Sequence, residues 1–181
     1  MEIFSYKLTF TWKVCLHIFM DKISIREISK SDLETIFNIE KHSYSNPWTF
    51  NDLEKEIQNC FSKNYLIKRS KNIIGYVFTH IVIDQMQINN FCISEKYRRY
   101  GYAKYFLNNI LAYIKSVDIK YVYLDVRESN IAAFKLYSSS GFKIDCIRKK
   151  YYSDGENAIL MSIDLCSYTD TLSTCSIEQL P

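Results

Sequence analysis

The sequence predicts a single domain built on a mixed α/β sheet, with the element order β-α-α-β-β-β-α-β-α-β-β. Two patterns and the size of the chain support this prediction. Three β-rich runs, "NYLIKR", "IIGYVFTHIVI" and "QINNFCI", are separated by short turn signals. A helical stripe with apolar residues three and four apart follows them, formed by Ala103, Phe106, Leu107, Ile110, Leu111 and Ile114. A chain of 181 residues that is 48% hydrophobic suits one well-cored domain.

The first half of the chain reads as a strand, two helices and a meander. "ISIREI" alternates as a strand, and "SDLETIFNIE" predicts a helix in which Ser31 and Glu34 have the spacing of a capping box. "NPW" (Asn46 to Trp48) breaks the chain, and Thr49 to Asn59 predicts a second, short helix. The three β-rich runs that follow predict a three-stranded antiparallel meander.

The second half predicts one further strand and helix and a closing hairpin. "KYVYLDV" reads as a strand, and "SNIAAFKLYSSSGF" reads as a capped helix that ends at Gly141. "FKIDCIRKKYY" and "NAILMSIDL" flank the turn "SDG". We therefore place the domain at residues 22–165. We expect residues 1–21 to be a dispensable extension, because Met20 stands just before the first strand, and residues 166–181 to be a flexible Ser/Thr-rich tail.

Composition argues against several classes of partner and site. A net charge of +3 is too small to indicate DNA binding. The six cysteines show no CxxC pair, which favours reduced thiols and a cytoplasmic location, and the three histidines have no metal-ligand spacing. No apolar run approaches the ~18 residues of a membrane span. We therefore expect no DNA, membrane or metal partner.

The stretch "EKYRRYGYAK" has the features of an anion site. A predicted strand leads into a helix through a basic turn, so backbone N–H groups and the helix dipole would point at a ligand. Gly101 permits close approach of the backbone, while Arg98, Arg99 and Lys104 supply charge suited to phosphate. The same residues also fit a solvated basic helix start, so the local pattern leaves both interpretations open.

A wider set of motifs resembles a known family. The pattern Arg98-x-x-Gly101-x-Ala103 after a strand resembles the (R/Q)-x-x-G-x-(G/A) loop of the GNAT superfamily of N-acetyltransferases. "LDVRESNIAAFKLYSSSGF", "IRKKYYSDGENAILM" and "NPW" are similar to segments of its RimI-type branch, the ribosomal-protein-alanine N-acetyltransferases. The resemblance covers about Ile23 to Leu165.

The resemblance implies a GNAT fold with acetyl-coenzyme A (acetyl-CoA) as co-substrate and no metal. The backbone of Phe91, Cys92 and Ile93, which also reads as core strand, would pair with the pantetheine arm. The loop would hold the phosphates, and Asn130, which also reads as a helix cap, would contact the cofactor. The implied cofactor-binding residues are Phe91, Cys92, Ile93, Arg99, Tyr100, Gly101, Tyr102, Ala103, Lys104 and Asn130.

The resemblance also implies two catalytic residues, Asp125 as the base and Tyr137 as the acid. Tyr137 shares a predicted helix face with Phe134, so it reads as a core residue too. Asp125 departs from the glutamate usual in the family and is shorter by one methylene, roughly 1.5 Å. The shorter side chain favours a bridging water as the proton relay, with Glu128 as a further helper.

The implied function is N-alpha-acetylation of a protein N-terminus, with the N-terminal alanine of a small-subunit ribosomal protein as the favoured acceptor. One alternative is the same fold acting on another protein N-terminus, a lysine or a small amine. A second is a non-catalytic acyl-CoA-binding or ribosome-associated module, to which Asp125 and the cluster Arg148 to Lys150 point. Tyr151 and Tyr152 fit hairpin packing and a substrate-side wall equally well.

Overall fold

The computed structural model describes residues 22–167, which form one seven-stranded mixed sheet with helices on both faces. The strands are β1 (Ile23–Glu27), β2 (Tyr65–Arg69), β3 (Asn72–Val82), β4 (Gln85–Ile93), β5 (Tyr121–Arg127), β6 (Lys143–Arg148) and β7 (Ala158–Asp164). The helices are α1 (Leu33–Ser43), α2 (Phe50–Gln58), α3 (Tyr102–Ser116) and α4 (Ile131–Ser139). The predicted element order is confirmed. The predicted extension and nearly all of the predicted tail lie outside the described residues.

Strand order in the sheet is β1-β2-β3-β4-β5-β7-β6. The strands β2, β3 and β4 pair antiparallel, which confirms the predicted meander. The helix α3 then crosses over to β5, which lies parallel to β4, and β7 and β6 complete the sheet as antiparallel neighbours.

Each face of the sheet has its own apolar core. On one face α1 and α2 bury Leu33, Ile36 and Leu53 against Tyr76 and Phe78 of β3. On the other face α3 buries its predicted stripe, with Ala103 packed at the margin of that core and the remaining stripe residues at most 1% exposed. The two cores hold the central strands from both sides.

The start of the first helical segment differs from the prediction. Ser31 and Glu34 do not form the capping box. The box is made two residues earlier, by Ser29 and Asp32, where the Ser29 N–H donates to Asp32 at 2.8 Å. Arg26 of β1 favours the Ser29–Asp32 box, because N–H groups on two of its guanidinium nitrogens donate to the Asp32 carboxylate at 2.7 and 2.8 Å. A short 3₁₀ turn therefore precedes α1.

The strands β4 and β5 separate part-way along their length. In their parallel pairing, only residues 85–88 of β4 lie opposite residues 121–124 of β5. At that point β4 carries an extra residue relative to β3, because Phe78 pairs with Asn90 while Thr79 pairs with Ile88. The extra residue, Asn89, forms a bulge, and bulges bend a strand and increase its twist. Beyond the bulge, β4 diverges from β5 and leaves a gap in the middle of the sheet.

Candidate active site

One side of the gap is the open edge of β4. Along a strand, the backbone N–H and C=O groups of successive residues point to opposite sides. The Ser94 N–H donates to β3, so the backbone groups of Cys92 also face β3. Those of Phe91 and Ile93 therefore face the gap. The Phe91 carbonyl accepts from the Tyr44 hydroxyl at 2.9 Å, and the Ile93 carbonyl accepts from Arg98 Nε at 2.9 Å. This edge already receives side-chain donors, as an unpaired strand edge must.

The loop after β4 passes through the left-handed region of backbone conformation at two residues. Arg99 has φ of 68° and Gly101 has φ of 86°, both in the left-handed region, and Gly101 is the N-cap of α3. A glycine N-cap has no side chain to accept from the first-turn N–H groups. Those donors and the positive end of the helix dipole make this turn suited to an anion.

The side chains of the loop divide into exposed and buried groups. Arg99, Tyr100 and Lys104 are exposed, whereas Tyr102 is 1% exposed and its ring lies 6.2 Å from that of Tyr100. Tyr102 can therefore meet a ligand only through its backbone. Arg98 is committed to the end of β4 by its hydrogen bond to Ile93.

The gap opens into a cavity of about 430 Å³ that brings both predicted catalytic residues together. Its lining combines the predicted residues Phe91, Asp125, Asn130 and Tyr137 with residues from α1 and from the segment that follows it. Lys104 instead lines a separate cavity between α3 and the end of α4. The structure therefore groups the catalytic candidates with the open edge of β4 and places Lys104 elsewhere.

The Asp125 carboxylate lines the cavity. Asp125 lies on β5 between Leu124 and Val126, which point into the core, so its side chain faces the opposite side of the sheet. Its carboxylate has no hydrogen bond or ion pair with any residue in the described part of the chain, while its backbone pairs with Leu160 of β7. It lines the main cavity and two neighbouring ones, so it is reachable from the side where an acceptor would arrive.

Tyr137 is a buried phenol packed between aromatic rings at the wall of the cavity. It is 6% exposed, and its ring centroid lies 5.6 Å from that of Phe142 and 6.4 Å from that of Phe91. Burial raises the pKa of its phenol well above the usual value, with smaller contributions from Tyr152 and Cys92. A phenol that stays protonated at neutral pH can donate a proton, and aromatic packing fixes where it does so. Its core and catalytic interpretations are compatible.

Asn130 serves as a helix cap and also lines the cavity. Its Oδ1 accepts from the Ala133 N–H at 3.1 Å and caps α4. The cap uses the oxygen, which leaves the amide nitrogen as the group able to donate to a ligand.

Comparison with known proteins identifies the family. The model of the acetyltransferase (GNAT) family matches residues 33–142, more than half of the chain. The chain belongs to this family. It is an acetyl-CoA-dependent N-acetyltransferase with the GNAT fold, as the loop and helix motifs predicted.

The acetyltransferase is similar to two bacterial proteins that bear the same name. The ribosomal protein bS18-alanine N-acetyltransferase of Haemophilus influenzae is 33% identical over 142 residues, which cover 76% of this chain and 96% of that protein. The corresponding Escherichia coli protein is 28% identical over 148 residues, covering 78% and 97%. The crystal structure of the E. coli ribosomal-protein-S18-alanine N-acetyltransferase superposes with a TM-score of 0.75 at 26% identity, covering 84% of this chain and 99% of that one.

Glu40 and Tyr44 also line the acetyltransferase's cavity, and sequence reasoning missed both. Glu40 is 1% exposed and Tyr44 follows it by one helical turn. Glu40 continues the apolar face formed by Leu33, Ile36 and Phe37. An acidic residue on the apolar face of a helix is a signal for a buried polar contact.

The β6–β7 hairpin closes the cavity from the other side. Arg127 donates to Asp154 at 2.8 Å and to Glu156 at 2.7 Å, and its guanidinium carbon lies 3.8 Å from the centre of the Tyr152 ring. Tyr152 lines the cavity and packs edge-on against Tyr151, so the predicted wall and hairpin roles of this pair coexist. Nothing in the sequence pointed to Arg127 as the residue that orders the hairpin.

Glu128, the predicted helper of Asp125, contacts this hairpin. Glu128 accepts from Asn157 Nδ2 at 2.9 Å, and Asn157 Oδ1 accepts from the Lys150 N–H at 3.0 Å. Glu128 is not among the residues that line the cavity with Asp125. It therefore ties the end of β5 to the hairpin.

Among residues 22–167, no three His, Cys, Asp or Glu side chains lie close enough together to hold a metal ion. Within the same range, no helix has both the length and the apolar composition needed to cross a bilayer.

Proposed function

We propose that this acetyltransferase modifies a protein α-amine in the cytoplasm, with the N-terminal alanine of ribosomal protein bS18 as its acceptor. The observation that carries the proposal is that one cavity joins the open edge of β4 to Asp125 and Tyr137. The two relatives described above are named as bS18-alanine N-acetyltransferases, and the similarity to this chain covers nearly the full length of each. Acceptor and co-substrate can then meet from opposite sides of the sheet.

We assign the co-substrate to the gap and to the loop after it. The pantetheine arm lies along Phe91–Ile93 and forms hydrogen bonds with the backbone groups of β4 that have no partner on β5. The pyrophosphate lies on the first turn of α3, over residues 99–104, where N–H groups, the helix dipole and the exposed Arg99 and Lys104 favour an anion. Asn130 contacts the cofactor from the start of α4.

The chemistry follows from two proton transfers. An α-amine has a pKa near 7.7–8.0, so most of it is ammonium at pH 7 and cannot attack a thioester. Asp125, acting through a water because of its short side chain, takes that proton, and the amine nitrogen forms a bond to the acetyl carbonyl carbon. When the carbon–sulfur bond breaks, Tyr137 donates its proton to the departing thiolate, and the second proton that the nitrogen loses replaces it on the Tyr137 oxygen. Asp125 releases its own proton to solvent, so the products are the acetylated amine, coenzyme A and one proton.

A peptide panel tests the proposal. Acetyl-CoA is supplied with matched peptides that start with Ala, Ser or Met, and with a peptide whose only free amine is a lysine. We expect the highest kcat/KM with the Ala-starting peptide that carries the bS18 N-terminal sequence. Preference for lysine would indicate a different acceptor class. Tight acetyl-CoA binding without turnover of any peptide would indicate a non-catalytic binding module.

Gly101→Val should weaken acetyl-CoA binding at least tenfold, roughly 1.4 kcal/mol. A side chain at this N-cap would occupy the space into which the pyrophosphate must come. Calorimetric titration with acetyl-CoA measures the change. Gly155→Val is the matched control, because Gly155 has a similar φ of 84° but open space around an added Cβ. Equal Kd values for both variants and the wild type would remove the phosphate assignment.

A shortened chain spanning Met20 to Cys166 should keep the melting temperature and kcat/KM of the full chain. The cores and the cavity described above are built within residues 22–167, so the shortened chain retains their contacts. Thermal unfolding and steady-state kinetics on the two chains make the comparison. Loss of the cooperative unfolding transition would show that the domain boundaries are wrong.

A further inference from the structure

Glu40 is a buried carboxylate at the edge of the cavity that the reaction scheme leaves without a role. It is 1% exposed and accepts hydrogen bonds from three groups. The Trp48 N–H donates at 3.0 Å, and Asn90 Nδ2 lies 3.1 and 3.3 Å from the two oxygens. The Tyr76 hydroxyl donates to the second oxygen.

These three donors belong to three different parts of the fold. Trp48 ends the segment between α1 and α2, Tyr76 lies on β3, and Asn90 follows the Asn89 bulge where β4 leaves β5. Glu40 itself lies one turn before Tyr44, whose hydroxyl reaches Phe91. A single carboxylate therefore joins the α1–α2 segment to the strand that forms the gap.

The contacts place donors around both oxygens of Glu40. A carboxylate is an acceptor only, and the amide N–H and the NH₂ group can only donate. Burial raises the pKa of the Tyr76 phenol far above its usual value, so this hydroxyl also keeps its proton and donates. Within residues 22–167, Glu40 has no Lys, Arg or His partner at ion-pair distance. The three hydrogen bonds are what hold this buried charge in place.

The segment that Glu40 anchors lies on the acceptor side of the cavity. Ser43, Tyr44 and Trp48 line the main cavity, and Trp48 also lines the neighbouring cavity that contains Asp125. The Trp48 ring is in addition tilted against Phe78, with centroids 5.4 Å apart. A displacement of this segment would change the wall against which an incoming peptide rests.

We propose that Glu40 is a positioning residue that holds the α1–α2 segment against the bulged strand and so shapes the acceptor site. The proposal rests on the function proposed above. Glu40 acts through Trp48 and Asn90 and does not touch the reacting atoms. The backbone of the cofactor edge is held from the other side, because Phe91, Cys92 and Ile93 pair with Val77, Tyr76 and Gly75 of β3, and Tyr44 adds a single side-chain contact at the Phe91 carbonyl.

Glu40→Gln should raise the KM for the acceptor peptide at least tenfold and leave the KM for acetyl-CoA within about twofold. Glutamine replaces one acceptor oxygen with a donor that then faces another donor. Glu34→Gln is the matched control, because Glu34 is an exposed acid on the same helix. A merely structural role would lower the melting temperature and the active fraction but leave both KM values unchanged. That result would overturn the proposal.

An exchanged pair provides the rescue. In the double variant Glu40→Gln/Asn90→Asp, the amide and the acid trade places, so a donor again faces an acceptor and the net charge is preserved. The acceptor KM should return to within about threefold of the wild type. Persistence of the full defect in the double variant would contradict the proposal. Should Glu40→Gln not fold, Asn90→Ala removes one donor only and should still raise the acceptor KM severalfold.

Hydrogen exchange gives a readout that does not depend on turnover. The Trp48 amide should exchange at least tenfold faster in Glu40→Gln than in the wild type, and Glu34→Gln should leave it unchanged. If the wild type acetylates no peptide, the proposed function fails, while this measurement still decides whether Glu40 anchors the segment. Unchanged Trp48 exchange alongside normal wild-type turnover would reject the role of Glu40 alone.

Discussion

Tyr137→Phe should lower kcat about 10²-fold, within the usual range for the loss of a general acid. The substitution removes only the hydroxyl, and the ring keeps its contacts with Phe91 and Phe142, so the melting temperature should change little. The Kd for acetyl-CoA should also hardly move, because the proton is needed in the transition state and makes no ground-state contact. Steady-state kinetics with an Ala-starting peptide and calorimetry with acetyl-CoA measure the two quantities.

The pH dependence sharpens this prediction. Because burial raises the pKa of Tyr137, its acid form persists through neutral pH, and wild-type kcat should show no alkaline decline below about pH 9. Tyr113→Phe is the control, since Tyr113 lies on α3 outside the cavity and its ring packs against Tyr65. Equal kcat values for the two variants would remove Tyr137 from the mechanism.

Asp125→Asn should reduce kcat/KM about 10²-fold at pH 7, with partial recovery at higher pH. About one amine in seven is neutral at pH 7 when its pKa is near 7.8, and nearly all are neutral at pH 9. A variant without the base depends on this neutral fraction, so its deficit relative to the wild type should shrink as the pH rises. Profiles of kcat/KM against pH for the two proteins test the expectation.

Two further variants delimit the role of Asp125. Asp125→Glu restores the residue usual in the family and should be neutral or activating, because the longer side chain takes the place of the relay water. Asp118→Asn is the charge-matched control, since Asp118 is exposed on the turn before β5. A deficit in Asp125→Asn that stays constant from pH 7 to pH 9 would contradict proton abstraction by this residue.

The elements that the sequence predicted well are those with a strong local signal. The apolar stripe of α3 repeats over several turns, and β2, β3 and β4 are runs of β-favouring residues bounded by turn signals, so tertiary contacts only reinforce them. The capping box went wrong for a non-local reason. Two serine–acid pairs compete within six residues, and Arg26 on a separate strand selects the pair that contains Asp32.

The candidate site was predictable only where the family motif reaches. Asp125, Asn130 and Tyr137 lie in one motif, and the structure brings all three to one cavity. Asn89, the bulge residue that opens the gap, is flanked by ordinary strand residues, and no glycine or proline marks it. The contacts of Glu40 join residues 8, 36 and 50 positions away, a separation that no local pattern encodes.

Only four residue pairs connect β4 to β5, so the stability of the fold should depend on whether the co-substrate is bound. On the proposed assignment, the pantetheine arm takes the place of the missing strand pairs, so acetyl-CoA binds the folded chain and not the unfolded one. At a concentration 100 times its Kd, such a ligand adds about 2.7 kcal/mol to the free energy of unfolding. Domains of this kind are stable by only about 5–15 kcal/mol in total. The lifetime of the enzyme in a cell should therefore follow the supply of its own co-substrate, with starved cells degrading the protein faster than well-fed ones.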